Sequence, residues 1–272
     1  MNRQTFSPES DRFMNLYIYN DSLAFRRPEQ SEDLALTYPF LLKDMIEKRI
    51  GLRVNLLLRG IGGAGIKEIQ KIILRDSGYL VRVTPSLNVV ILQFGIVDCA
   101  PRPITFLLKP LLDRIPRIGA KIMSVFIKHR RWIQVVCNYR KTPIAQFKRR
   151  YKAILRVCIR VGTSPLATGM PLPPHKTESR SPGFRQSVTK YNQAIREISS
   201  EAFCDIEGGL DESLRERMLL PDGHHLTESG HQFYARALFK KMESLGLLEK
   251  ATACDLASGQ LTDGSQGAGM AE

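Results

Sequence analysis

A chain of 272 residues, 43% hydrophobic and 25% charged, has the make-up of one large globular domain or of one domain with a sizeable insertion, and excludes wholesale disorder. Its apolar runs, such as Asn88 to Phe94, stop far short of the roughly 20 residues that cross a bilayer, and its first residues lack the apolar core of a secretory signal. The formal net charge is +13, and the five cysteines (Cys99, Cys137, Cys158, Cys204, Cys254) are scattered without a C-x-x-C pair. Reduced thiols in a cytoplasmic protein are therefore expected, and neither a disulfide scaffold nor a zinc ribbon.

In chain order, Asn15 to Tyr19 is a short aromatic, β-prone run ended by the turn formers Asn20, Asp21 and Ser22. Ser31 to Arg49 reads as a helix that Ser31 caps. Gly51 to Leu58 is a second strand, followed by the glycine turn Gly60-Ile-Gly-Gly-Ala-Gly65, which opens a helix through Ile69 and Ile73. Asn88 to Phe94 is nearly all apolar, as a strand buried on both faces of a parallel sheet must be.

The charge then becomes lopsided. Arg102 to Arg160 holds sixteen basic residues against one acid, Asp113, whereas the remainder has 24 basic and 26 acidic residues. Pro101 to Lys152 reads as inserted helical material, broken by prolines, that either is a solvated basic surface or meets an anionic partner. Ala153 to Val161 is a fourth strand candidate, Ser164 to Pro182 a loop, Ser187 to Ser200 a helix and Ala202 to Ile206 a short strand. A last helix from Glu228 to Leu245 is capped by Thr227 and stopped by Gly246. Strands and helices alternate, which predicts an α/β fold with a mostly parallel sheet covered on both faces. The expected domain spans 1–250, with the insertion at about 101–152 and a disordered tail over 251–272.

Chemistry in such sheets collects at the carboxyl ends of the strands. Ser22 follows strand one at a sharp turn, where backbone N–H groups can meet a developing oxyanion, although Asn-Asp-Ser is also an ordinary turn. Gly60-x-Gly62-x-x-Gly65 matches a dinucleotide-binding spacing but follows the second strand, so a plain tight turn is an equal reading. Asp222 lies three residues before His225, from where it can accept a hydrogen bond from Nδ1 and leave Nε2 as a base for a hydroxyl. His224 and His231 lie close by, but no metal-ligand spacing such as H-E-x-x-H is present, and no metal is expected.

Taken together, Asn20-Asp21-Ser22-Leu23, Gly60 to Gly65, Gly95-Ile-Val-Asp98 and Pro221-Asp-Gly-His-His-Leu-Thr-Glu-Ser-Gly230 resemble the four sequence blocks of the SGNH/GDSL hydrolase family, over about Leu16 to Leu245. The resemblance implies a flavodoxin-like three-layer α/β/α sandwich and a serine esterase that works through an acyl-serine intermediate without a cofactor. It implies Ser22 as nucleophile, His225 as base and Asp222 as its partner, with the N–H groups of Ser22 and Gly63 in the oxyanion hole. Asn20 stands where the family has glycine, a tolerable change because asparagine accepts unusual backbone angles. Val97 stands where the family has an asparagine that donates to the oxyanion, a loss worth on the order of 10²- to 10³-fold in rate unless Asn138 or Arg102 compensates.

Two stretches, Gly95 to Arg102 and Asp21 to Pro28, also resemble a branch associated with bacterial polysaccharide gene clusters. That implies an O-acyl group on a sugar as substrate, with Arg26, Arg27 and Arg102 near the serine to recognise an anionic substituent. The alternative is a weakened or inactive relative that holds an anionic glycan or other polyanion, or meets a membrane surface, through 102–160. Trp132, Tyr139, Phe147 and Tyr151 are interleaved with arginines there, but no nucleic-acid motif accompanies them, and nucleic acid is the least favoured partner.

Overall fold

The computed structural model describes residues 13–25, 33–80, 87–101 and 139–253, together with 114, 121–122, 124–125 and 128–129. Among them are five strands: β1 (Phe13–Asn20), β2 (Arg53–Gly60), β3 (Asn88–Gln93), β4 (Ser164–Thr168) and β5 (Phe203–Cys204). They form one sheet in the order β2-β1-β3-β4-β5, and every pairing is parallel. Parallel neighbours require crossovers, here through helices α1 (Tyr38–Ile50), α2 (Ile66–Leu80), α3 (Ile96–Cys99), α4 (Ile144–Arg160), α5 (His175–Glu178) and α6 (Phe184–Ser199), and α7 (Glu212–Met218) and α8 (Glu228–Ser244) follow β5.

The helices divide between the two faces of the sheet. On one, Ile69 and Ile73 of α2, Phe147 and Tyr151 of α4 and Tyr191 and Ile195 of α6 pack against Val90 and Leu92. On the other, Leu42 and Ile46 of α1 and Tyr234, Leu238 and Met242 of α8 pack against Ile18, Val89 and Ile91. All six residues of β3 are buried, which accounts for its unbroken apolar run. The result is a three-layer α/β/α sandwich.

Several expectations change in detail. The helix expected from Ser31 begins only at Tyr38, after a 3₁₀ turn at Leu34–Leu36 capped by Asp33. Pro39 explains the break, because a proline disfavours helical backbone just before it and fits the first turn of a new helix. Ala153 to Val161 is not a strand: most of it is the end of α4, whose buried Phe147, Tyr151, Ile154, Leu155 and Cys158 recur at helical spacing. The fourth strand is Ser164–Thr168, inside the stretch expected to be a loop, where Pro165 and small residues hide its β character. Of the basic insertion, 144–152 belongs to α4, residues 121–122, 124–125 and 128 are helical, and most of 102–138 lies outside the described residues. Leu247, Leu248 and Ala251 are buried in a helical segment over 247–253, so the core continues past the expected start of the tail; 254–272 lies outside the described residues.

Candidate active site

The carboxyl end of β1 delivers Asn20, Asp21 and Ser22 to the rim of the sheet. Asp21 is fully buried, and its Oδ1 accepts the Leu23 N–H at 3.1 Å and Gln93 Nε2 at 3.4 Å, tying down the 3₁₀ turn that presents Ser22. Gln93 ends β3 and in turn accepts the Tyr38 hydroxyl at 3.4 Å. Asn20 needs no unusual backbone: it ends β1 in register with Gly60 of β2. A Cβ at residue 60 would collide with the Asn20 side-chain amide, so the glycine opposite makes room for the larger residue.

From the other end of the chain, α7 and α8 flank a tight loop. Leu219 and Leu226 form an antiparallel bridge, and Leu220 N–H donates to the His225 carbonyl at 2.8 Å. Asp222 sits inside the loop, where its Oδ1 accepts the N–H groups of His224 and His225, each at 3.0 Å. Its Oδ2 lies 2.6 Å from His225 Nδ1. Partial burial works against ionisation of Asp222, but the His225 hydrogen bond, the nearby His224 and the two backbone donors outweigh it and hold the carboxyl well below its ordinary range. A carboxylate at that distance accepts from Nδ1–H, which leaves Nε2 as an acceptor. His225 Nε2 is 3.0 Å from Ser22 Oγ across 203 residues of sequence, and the imidazole is 1% exposed. The structure thus joins hydroxyl, imidazole and carboxylate in one hydrogen-bonded chain.

The other predicted residues fall into place differently. Gly63 sits on the turn after β2 with φ of 76°, a backbone conformation that only glycine adopts without strain. Val97 lies on α3 at the same rim, 7% exposed and packed into the core. Arg26, Arg27, Arg102 and Asn138 lie outside the described residues. His231 does not join a metal cluster: it is buried, and its Nδ1 accepts the Tyr38 N–H at 3.3 Å. Asp222, His224 and His225 do present ligand atoms within 4.8 Å of one another. However, two ligands of a tetrahedral zinc sit roughly 3.3 Å apart, so the 2.6 Å between Asp222 and His225 is a hydrogen bond with no room for an ion.

A second, unforeseen set of contacts holds the glycine turn. Asp98 Oδ2 accepts the Ile66 N–H at 2.8 Å and Glu68 Oε2 accepts the Gly65 N–H at 2.9 Å. The N–H groups that a dinucleotide phosphate would need at the start of α2 are therefore taken by carboxylates. Lys141 Nζ is 3.0 Å from Glu68 Oε2 and 3.5 Å from the Gly63 carbonyl, and Thr142 Oγ1 donates to Asp98 Oδ1 at 2.5 Å. Glu68, three residues after Gly65, follows capping-box spacing and was findable in the sequence. Lys141 and Thr142 carry no such signal, because their partners lie far away in sequence.

Burial pushes both Asp21 and Asp98 up to about 6, against the pull of their hydrogen bonds. The folded chain then binds these protons more tightly than the unfolded chain, so the associated stability is full below about pH 4 and lost as pH rises towards 6. Asp98→Asn removes the share of that dependence that Asp98 contributes and leaves that of Asp21. Relative to the parent, the variant is expected to gain about 2–3 kcal/mol of unfolding free energy between pH 4 and pH 7, measured by denaturant titration at each pH.

A parallel three-layer sandwich with a Ser–His–Asp chain at the carboxyl rim of its sheet has the build of an acyl-transfer protein. The match of residues 21–233 to the GDSL-like lipase/acylhydrolase family settles the class: the chain belongs to that family. No curated protein matches it by sequence. Among solved structures it is similar to the lipase/acylhydrolase from Enterococcus faecalis, at 12% identity and a TM-score of 0.57, with 85% of this chain and 96% of that one covered. It is similar also to the acetyl xylan esterase AlAXEase (15% identity, TM-score 0.53, 84% and 98% covered). A variant of Axe2, an acetyl xylan esterase from Geobacillus stearothermophilus, aligns at 16% identity with a TM-score of 0.55 and 84% and 94% covered. No helix among the described residues is long and apolar enough to cross a membrane.

Proposed function

We propose that this hydrolase cleaves an ester, specifically an O-acyl group on a carbohydrate, through an acyl-serine intermediate. The observation that carries the reading is the 3.0 Å approach of His225 Nε2 to Ser22 Oγ, with Asp222 behind it at 2.6 Å. Ser22 Oγ attacks the acyl carbonyl as its proton passes to His225 Nε2, and ionised Asp222 stabilises the imidazolium. His225 then returns the proton to the departing sugar alkoxide. Water, deprotonated by the same imidazole, attacks the acyl-serine, and the imidazolium returns the proton to Ser22 Oγ as the acid departs. The N–H groups of Ser22 and Gly63 receive the oxyanion. The carbohydrate part of the reading draws its support from the acetyl xylan esterases of the same fold. Residues 1–250 are taken as one hydrolase domain that includes the basic insertion.

A fluorophosphonate probe tests the nucleophile directly. Mass spectrometry of the labelled chain is expected to place the adduct on Ser22; labelling at another serine would overturn the assignment. Acetylated xylan and acetylated uronate polymers, assayed for acetate release, test the substrate.

Because Lys141 donates to the Gly63 carbonyl and to Glu68, whose carboxylate caps the Gly65 N–H, it braces the turn that carries the Gly63 N–H. Lys141→Met is expected to lower kcat roughly tenfold with little change in KM, and Lys141→Arg to recover most of it. A matched rise in KM at constant kcat would assign Lys141 to substrate binding instead. The buried apolar Val97 favours a second reading, a family member with weakened catalysis.

A further inference from the structure

Among the described residues, positive charge that the active site does not use gathers on two helices. Of the two neighbouring helices on one side of the sheet, α4 carries six basic residues and no acid, and α2 carries three basic residues and two acids. Both acids of α2 are engaged, Asp76 with Arg59 at 3.1 Å and Arg75 at 3.2 Å, and Glu68 with Lys141 at 3.0 Å. Glu197 on the adjoining α6 is held by Lys148 at 2.7 Å. Facing solvent, Lys67, Lys71 and Arg75 run along α2, and Arg149, Lys152, Arg156 and Arg160 run along α4. Spacings of three and four residues put each set on one helical stripe.

Large apolar side chains stand among these cations. Tyr79 is 77% exposed, Ile159 63% and Leu74 51%; the first two are the most exposed large apolar side chains among the described residues. They stand at matching ends of the two helices. Arg150 of α4 donates to Gln70 of α2 at 2.6 Å, which sets the register of the two helices. Both helices start at the carboxyl rim and run antiparallel to the strands. Nine residues, or about two and a half turns, beyond that bond lie Tyr79 and Ile159, at about the same level but on the flanks of the two helices that face away from each other, with Arg75, Arg156 and Arg160 on the outward face between them.

From this arrangement we infer that the outer face of α2 and α4 docks on an anionic phospholipid membrane. A bilayer surface offers both things the face asks for: acidic headgroups for the stripes and an apolar layer beneath them for Leu74, Tyr79 and Ile159. A dissolved polyanion satisfies only the cations, since aliphatic leucine and isoleucine do not stack on bases or sugar rings. The face lies on the flank of the sheet, and Tyr79 and Ile159 are at the helix ends farther from Ser22. Docking there leaves the serine rim open to substrate.

The test is co-sedimentation of the full chain with vesicles of phosphatidylcholine alone or with about one third phosphatidylglycerol, at low and high salt. Binding is expected only to the acidic vesicles and is expected to fall with salt. Arg156→Gln with Arg160→Gln is expected to weaken it roughly 25-fold, at about five-fold per cation. Tyr79→Ser with Ile159→Ser changes no charge yet is expected to weaken it at least about tenfold. Heparin binding by that second variant is expected to match the parent. No sedimentation with acidic vesicles at low salt, equal binding to neutral vesicles, or unchanged binding by the Tyr79/Ile159 variant would each overturn the inference, the last by reassigning the face to a soluble polyanion. All these positions lie outside the Ser22–His225–Asp222 chain, so aryl-ester hydrolysis is expected to be unchanged in every variant, and loss of the esterase reading would leave the vesicle result standing.

Discussion

Ser22→Ala and His225→Ala are each expected to reduce hydrolysis of a short-chain aryl ester by on the order of 10⁴- to 10⁶-fold. The size follows from the division of labour: alanine at 22 removes the atom that forms the acyl bond, and alanine at 225 removes the acceptor for its proton. Because the three groups act as a unit, combining both changes should cost little more than either alone. Asp222→Asn is expected to cost about 10⁴-fold, since the amide cannot accept from Nδ1–H in the same way and favours the wrong tautomer. Replacing the partly exposed Ser22 leaves the packing of both cores alone, and circular dichroism should be unchanged for that variant. Substantial turnover by Ser22→Ala would end the acyl-serine mechanism. Initial rates with 4-nitrophenyl acetate at pH 7 supply the measurement.

Val97→Asn is expected to act in the opposite direction, raising kcat by on the order of 10²-fold. Removing one side-chain donor to an oxyanion typically costs 10² to 10³ in rate, and the asparagine returns such a donor to the rim beside Gly95 and Asp98. Valine and asparagine are close in volume, so the backbone of α3 can stay where it is. The cost falls on stability instead, about 1–3 kcal/mol for placing an amide where Val97 is 7% exposed and packed in the core. An increase confined to kcat supports a donor that acts on the transition state. An unchanged kcat means that two backbone donors, or a group elsewhere at the rim, already do the work, and the weakened-catalysis reading then loses its basis.

Much of the local structure was legible from the residues themselves. The apolar run of β3, the Thr227 cap and Gly246 stop of α8, and the fold-back of Asp222 on His225 each rest on neighbours in sequence, where spacing and side-chain chemistry suffice. The fourth strand was not legible. Its β-like composition sits on the residues before it, which form the end of α4 because their buried side chains face the sheet with helical spacing. Nor could spacing alone bring Ser22 to His225; that expectation came from family resemblance, and the sheet order is what puts β1 at the rim near the loop ahead of α8.

The amino-acid sequence by itself determined the α/β alternation, the candidate serine, histidine and aspartate, and the confinement of excess positive charge to one segment, because each is a property of residue type and short-range order. Tertiary structure alone decided which glycine makes room for Asn20, which lysine and threonine grip the glycine turn, and which side chains stand on the exposed cationic face of α2 and α4. Those facts depend on strand register and helix packing. Contacts between residues some 40 to 80 positions apart are set by how the layers close, and no local pattern encodes them.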